Sequence, residues 1–200
     1  MQALFLASVN LINRRQYLAG AFAYTVLLNF KHIYLYAALA FFVSILKGYV
    51  LRKRAIRKQI INLLKVAGVV LIPFIVAFLP FFIVGGFDQI FQIFKRLFPF
   101  QRGLIHDYWA PNFWAFYYFL DKVANTLASR FGFQSIVVHS AGELHNLMVL
   151  PHIKPLMTTF LILVISLPLL LMYFYSRNIR FYFLVFLCGT IFFMFGFHVH

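Results

Sequence analysis

Three stretches of this chain, residues 66–84 (VAGVVLIPFIVAFLPFFIV), 156–175 and 181–197, run apolar without a single charged residue. Each approaches the roughly 20 residues a helix needs to cross ~30 Å of hydrocarbon, so each predicts a transmembrane helix. Earlier, residues 17–30 and 33–46 form two apolar runs of fourteen residues, parted only by Lys31 and His32. That pattern predicts either one long tilted helix over 17–46 or two half-helices meeting at a polar notch. Irregular backbone survives at membrane depth only where protein or water covers it, so the second option sets Lys31 beside a cavity. Residues 1–13 read as part of another span. Between the spans lie a short basic loop at 47–65 and a long segment at 85–155, in which NFWAFYYFL (112–120) is apolar enough to lie in the interface or dip into the bilayer.

Composition agrees with the pattern. The chain is 64% hydrophobic and 20% aromatic, with a mean hydropathy of +0.88, beyond the usual soluble range. The expectation is an all-α membrane protein, a polytopic helical bundle forming a single transmembrane domain over 1–200. The formal net charge of +14 does not point to nucleic acid. The bases gather at span ends: Lys47, Arg52, Lys53, Arg54, Arg57, Lys58 and Lys65 in the 47–65 loop, Arg14 with Arg15, and Arg177 with Arg180. Under the positive-inside rule these clusters are cytosolic, and the Arg52–Lys58 group reads as a loop held against anionic lipid. The only acids, Asp88, Asp107, Asp121 and Glu143, all fall within 85–155. Counting spans puts that segment on the opposite, lumenal side, together with His198 and His200. A full crossing by 112–120 would reverse everything after it and break the charge bias.

Polar chemistry concentrates in this lumenal segment. Asp107, next to His106, offers a carboxylate and an imidazole at a membrane edge for proton transfer or hydroxyl binding, against the simpler role of a turn residue before Pro111. Lys95, Arg96 and Arg102 flank Phe98-Pro99-Phe100 and suit a phosphate on a lipid carrier, against snorkelling to head groups. Lys31 and His32 interrupt apolar sequence, where a charged Lys costs at least ~2.5 kcal/mol. His198 and His200 lie two apart and cannot share a helix face. His139, His145 and His152 have spacings that match no standard zinc pattern, and no metal is expected. The lone Cys188 reads as packing. Residues 1–15 lack a basic leader and a cleavage site, and with an apolar run reaching the C-terminus the sequence reads as an internal piece of a larger polytopic protein.

Three islands carry a resemblance: LLNFKHIYLYAA (27–38), KRLFPFQRGLIHDYWAPNFWA (95–115) and FGFHVH (195–200). They resemble, in the same order, the dolichyl-phosphate-glucose-dependent α-1,3-glucosyltransferases of the endoplasmic reticulum. The HIYLY and YWAPNFWA wordings are more similar to the branch that adds the second glucose to the lipid-linked oligosaccharide than to the first-glucose branch. The resemblance implies a GT-C type enzyme of the endoplasmic-reticulum membrane, with a lumenal cavity open to a dolichyl-phosphate sugar donor and a dolichyl-pyrophosphate-linked glycan acceptor, and with no cofactor. By motif match it implies substrate-binding roles for Lys31, His32, Arg102, His106, Asp107, His198 and His200. The first-glucose branch carries a glutamate near the position of His106, so a role borrowed from that branch does not transfer there.

The general base of such enzymes lies in a first lumenal loop, expected upstream of residue 1, so this piece alone is expected to be inactive. A transporter or channel fragment is the competing class, because broken helices and an intramembrane Lys also serve solute paths. Against it, the polar residues gather at one lumenal edge and no internal repeat is visible. A non-catalytic membrane subunit is a third possibility.

Overall fold

The computed structural model describes residues 1–97, 113–131, 150, 151, 153, 155–176 and 179–196. Every regular element among them is helical: α1 (Gln2–Asn13), α2 (Tyr17–Phe30), a 3-10 turn (His32–Ala37), α3 (Ala38–Ile45), a π turn (Leu46–Val50), α4 (Ile56–Leu97), α5 (Phe113–Arg130), α6 (Pro155–Tyr175) and α7 (Phe181–Phe195). Helices are what apolar chain must form in lipid, because each backbone N–H then finds its acceptor within the same segment. By length and composition His32–Val50, Ile56–Leu97 and Leu156–Tyr175 can cross a membrane; Gln2–Asn13, Tyr17–Phe30 and Phe181–Phe195 are shorter apolar helices. The chain is an all-α membrane protein.

Two compact units divide the residues. One comprises Met1–Leu97 and Ser166–Gly189, the other Phe98–Ile165 and Thr190–His200. The core of the first unit joins Ile12 of α1, Tyr24 and Leu27 of α2, Ala40 and Phe41 of α3, and Phe181, Leu184 and Cys188 of α7. Tyr24 stacks on Phe41 with ring centroids 3.9 Å apart, and Phe181 meets the Phe41 ring edge-on at 5.1 Å. Cys188 is fully enclosed, so its thiol serves as packing.

The α1–α2 reversal takes three residues. Arg15 adopts φ +62°, while the N–H groups of Arg15 and Gln16 donate to the carbonyls of Ile12 and Leu11. This is the Schellman closure, with arginine where glycine is the usual residue.

At the other end of the unit the Lys47 ammonium donates to the carbonyls of Tyr173, at 2.6 Å, and Ser176, at 2.9 Å. It also lies 4.9 Å from the centre of the Tyr173 ring. Those carbonyls belong to the end of α6, where the helix dipole favours a cation. Ser44 Oγ and the Tyr173 hydroxyl, 2.8 Å apart, fix the same junction.

Helix α4 begins at Ile56, inside the stretch that charge patterning reads as loop, and continues past residue 85. It is two limbs. Gly86 has φ +61° and ψ −153° between them, a conformation essentially confined to glycine. Phe94 stacks on Phe78 at 5.6 Å, although sixteen residues of straight helix would separate them by ~24 Å. Limb 87–97 therefore folds back along limb 56–85.

Candidate functional site

The structure resolves the polar notch between 17–30 and 33–46 as a break. Helix α2 stops at Phe30 and Lys31 is extended, with φ −153° and ψ 106°. Two turns of 3-10 helix follow before α3 restores α-helical geometry. Side chains hold the break in place. Thr25 Oγ1 donates to the Ala21 carbonyl and Asn29 Nδ2 to that of Thr25, each drawing on a helix acceptor four residues back. The Tyr24 hydroxyl donates to the Tyr34 carbonyl at 2.7 Å, tying the 3-10 turn to α2. Phe5 of α1 packs on the Tyr34 ring, with centroids 5.1 Å apart. Lys31 and His32 are both exposed at the end of this scaffold. The arrangement presents a cation and an imidazole from rigid elements.

In the second unit, two of the sequence islands meet. The Trp114 indole N–H donates to the Phe195 carbonyl at 2.9 Å, and Trp114 is only 3% exposed. The Phe113 ring lies 5.1 Å from that of Phe195. The Gly196 N–H closes onto the Phe192 carbonyl at 2.7 Å. A Cβ at Gly196 would collide with that same backbone oxygen, so the contact requires glycine. Trp114 belongs to the island 95–115, and Phe195 and Gly196 open the island 195–200. Arg102, His106, Asp107, His198 and His200 lie outside the described residues.

Helix α5 supplies residues that the sequence reading did not single out. Asp121 is 3% exposed, and its Oδ1 accepts the Leu150 N–H at 2.7 Å. One turn earlier the Tyr117 hydroxyl donates to the Pro151 carbonyl at 2.8 Å. Burial first, and the Asp121 charge second, push the Tyr117 phenol above its ordinary range, keeping it a donor. Trp114, Tyr117 and Asp121 stand at i, i+3 and i+7, which is one helix face. That spacing was the available signal for the clamp. Among the described residues no group of three or more His, Cys, Asp or Glu side chains is placed to hold a metal ion.

The whole chain, residues 1–200, matches the model of the ALG6, ALG8 glycosyltransferase family. The chain belongs to this family. Among curated relatives of the ALG6, ALG8 family, a Drosophila melanogaster protein named "Probable dolichyl pyrophosphate Glc1Man9GlcNAc2 alpha-1,3-glucosyltransferase" is 41% identical over 98% of the chain and 38% of its own length. The Schizosaccharomyces pombe dolichyl pyrophosphate Glc1Man9GlcNAc2 alpha-1,3-glucosyltransferase is 41% identical over 92% of the chain and 37% of its own length. Its namesake in Candida albicans is 35% identical over 100% of the chain and 39% of its own length. The chain thus spans about two fifths of these family members. No solved structure matches it.

Proposed function

We infer that the chain is part of an α-1,3-glucosyltransferase of the endoplasmic-reticulum membrane, which moves glucose from dolichyl phosphate glucose onto a lipid-linked high-mannose glycan that already carries one glucose. Family membership over all 200 residues supports the reaction class. The names of the relatives support the acceptor. The observation that carries the reading furthest is the Trp114–Phe195 contact, because it joins the end of the island 95–115 to the start of the island 195–200.

The chemistry sets the roles. The acceptor's 3-hydroxyl oxygen attacks the anomeric carbon of the donor, the bond from that carbon to the phosphate oxygen breaks, and a base takes the hydroxyl proton. Inversion turns a β-linked donor into an α-linked product. Dolichyl phosphate departs as an anion and needs positive charge or hydrogen-bond donors at the moment the bond breaks. In this reading Lys31 and Arg102 supply charge, His32, His198 and His200 supply donors to phosphate or sugar, and Asp107, with His106 beside it, orients the sugar. Phosphate is a good leaving group, so the scheme includes no metal. In this reading the general base comes from the part of the enzyme beyond this chain, and both parts together bring the two lipid substrates into line.

The test uses membranes containing the complete protein, dolichyl phosphate glucose, and lipid-linked glycan bearing either no glucose or one. Transfer to the singly glucosylated glycan only, with Asp107→Asn lowering transfer at unchanged protein level, is expected. Transfer to the unglucosylated glycan moves the assignment to the first-glucose branch. Solute transport without glycosyl transfer overturns it.

A further inference from the structure

We propose that limb 87–97 is a re-entrant amphipathic element whose basic residues, Lys95 and Arg96, bind a lipid-borne phosphate monoester below the lumenal membrane boundary. The fold-back is anchored by aromatic pairs. Phe78 meets Phe94 at 5.6 Å and Phe82 meets Phe87 at 4.9 Å, across the Gly86 turn. The limb divides cleanly by chemistry. Asp88, Gln89, Gln92, Lys95 and Arg96 fall within one arc of about 120° at helical spacing, and the apolar residues of the limb fill the remainder.

Depth makes this polar stripe informative. Residues 66–84 contain no charged group, so their hydrocarbon-crossing part ends near Val84. Phe78 lies six residues before that end, and the Phe78–Phe94 contact therefore sets the backbone of Lys95 and Arg96 ~9 Å inside it, at a helical rise of about 1.5 Å per residue. Lys95 and Arg96 are both exposed. Lys95 Nζ sits 4.8 Å from the centre of the Phe91 ring, and among the described residues no carboxylate pairs with either base. Two adjacent cations at such depth favour an anion and a water-lined surface. A phosphate monoester carries about −1.5 to −2 charges and three acceptor oxygens, enough for both bases, whereas one carboxylate neutralises a single base. Asp88, seven residues before Lys95, stands about two turns away along the limb. The amides of Gln89 and Gln92 on the same stripe add further donors for the phosphate oxygens.

The carrier's identity as an isoprenoid rests on the reaction above, whose departing dolichyl phosphate is such a monoester; the phosphate site does not. The experiment places the complete protein in neutral-lipid nanodiscs and measures binding of farnesyl phosphate, dioleoyl phosphatidic acid and inorganic phosphate to wild type and to Lys95→Gln/Arg96→Gln. Farnesyl phosphate binding should fall by roughly tenfold to a hundredfold in the double variant, in keeping with the loss of charge-assisted hydrogen bonds. An equal fall for phosphatidic acid keeps the site and assigns it to lipid phosphates in general. Unchanged binding in the double variant overturns the site while glucosyl transfer by wild type still supports the donor reading. Inorganic phosphate binding as tightly as farnesyl phosphate overturns the lipid-borne part. A second measurement does not depend on the charge change: Gln92→Cys, on the polar stripe, should react with a membrane-impermeant maleimide and be protected by farnesyl phosphate, and Ile93→Cys should not react. Equal labelling of the two overturns the re-entrant geometry.

Discussion

Trp114 and Phe195, eighty-one residues apart in the chain, are joined by an indole N–H···O=C bond of 2.9 Å. A buried indole N–H left without its acceptor costs about 1–3 kcal/mol, so the bond is an orientation device as well as a packing contact. Trp114→Phe keeps most of the apolar contact and removes the donor. We expect a loss of about 1 kcal/mol, the typical net value of one such bond, read as a lower thermal midpoint in detergent. Trp114→Ala should lose about 3–5 kcal/mol through the cavity it leaves.

Asp121 tests the clamp on α5. Asp121→Ala strips the Leu150 N–H of its acceptor, which predicts about 1.5–3 kcal/mol of destabilisation. Asp121→Asn retains an acceptor oxygen and should recover part of that loss. Limited proteolysis between residues 131 and 150 provides the readout, and equal cleavage of wild type and Asp121→Ala would refute the clamp.

The Tyr117 phenol gives a pH dependence. Its pKa is raised by burial and then by Asp121, so the folded state holds the proton more tightly than the unfolded chain. The corresponding stability is present below the ordinary phenol value of about 10 and drains away as pH climbs through the raised one. The thermal midpoint advantage of wild type over Tyr117→Phe should therefore be constant from pH 7 to 9 and shrink above about 10. An advantage that grows with alkalinity would contradict the assigned direction.

Lys47 caps α6 with two charge-assisted bonds. Lys47→Met preserves the stem and removes the charge; a loss of about 2–3 kcal/mol is expected. Lys47→Arg should fall between the two. A neutral result in thermal unfolding would show that the cap contributes nothing.

Arg15 sits in left-handed backbone at φ +62°, a conformation that costs a non-glycine residue about 1–2 kcal/mol. Arg15→Gly is expected to raise the thermal midpoint. A drop would mean that the guanidinium makes a compensating contact with lipid or protein.

Periodicity carried the helical class and the apolar runs at 66–84 and 156–175, because charge-free stretches of that length have one stable form in lipid. It left the 17–46 run as either one helix or two, and the structure places the break at Lys31. What decides the break is not periodic: a tyrosine hydroxyl reaching ten residues along the chain from Tyr24 to Tyr34. The fold-back at Gly86 was equally hidden. Limb 87–97 has a clear amphipathic stripe, but a stripe says which face is polar and not which way the helix runs. Only a contact such as Phe78–Phe94 supplies direction. Of the candidate site, Lys31 and His32 could be placed at the exposed end of a rigid break. The Trp114–Tyr117–Asp121 face is hidden in the sequence because its members look like interfacial aromatics and one acid among several.

The first unit is discontinuous in sequence, using Met1–Leu97 and then Ser166–Gly189. Ser44, Lys47 and Phe41 each contact the later stretch, through Tyr173, Ser176 and Phe181. During translation the early helices must therefore wait in the bilayer without these contacts, and a product that stops before residue 173 lacks the two carbonyls at the end of α6 that Lys47 caps and the Phe181 ring that meets Phe41 edge-on. Nonsense alleles in this interval are therefore expected to give products that membrane quality control clears rather than lets accumulate.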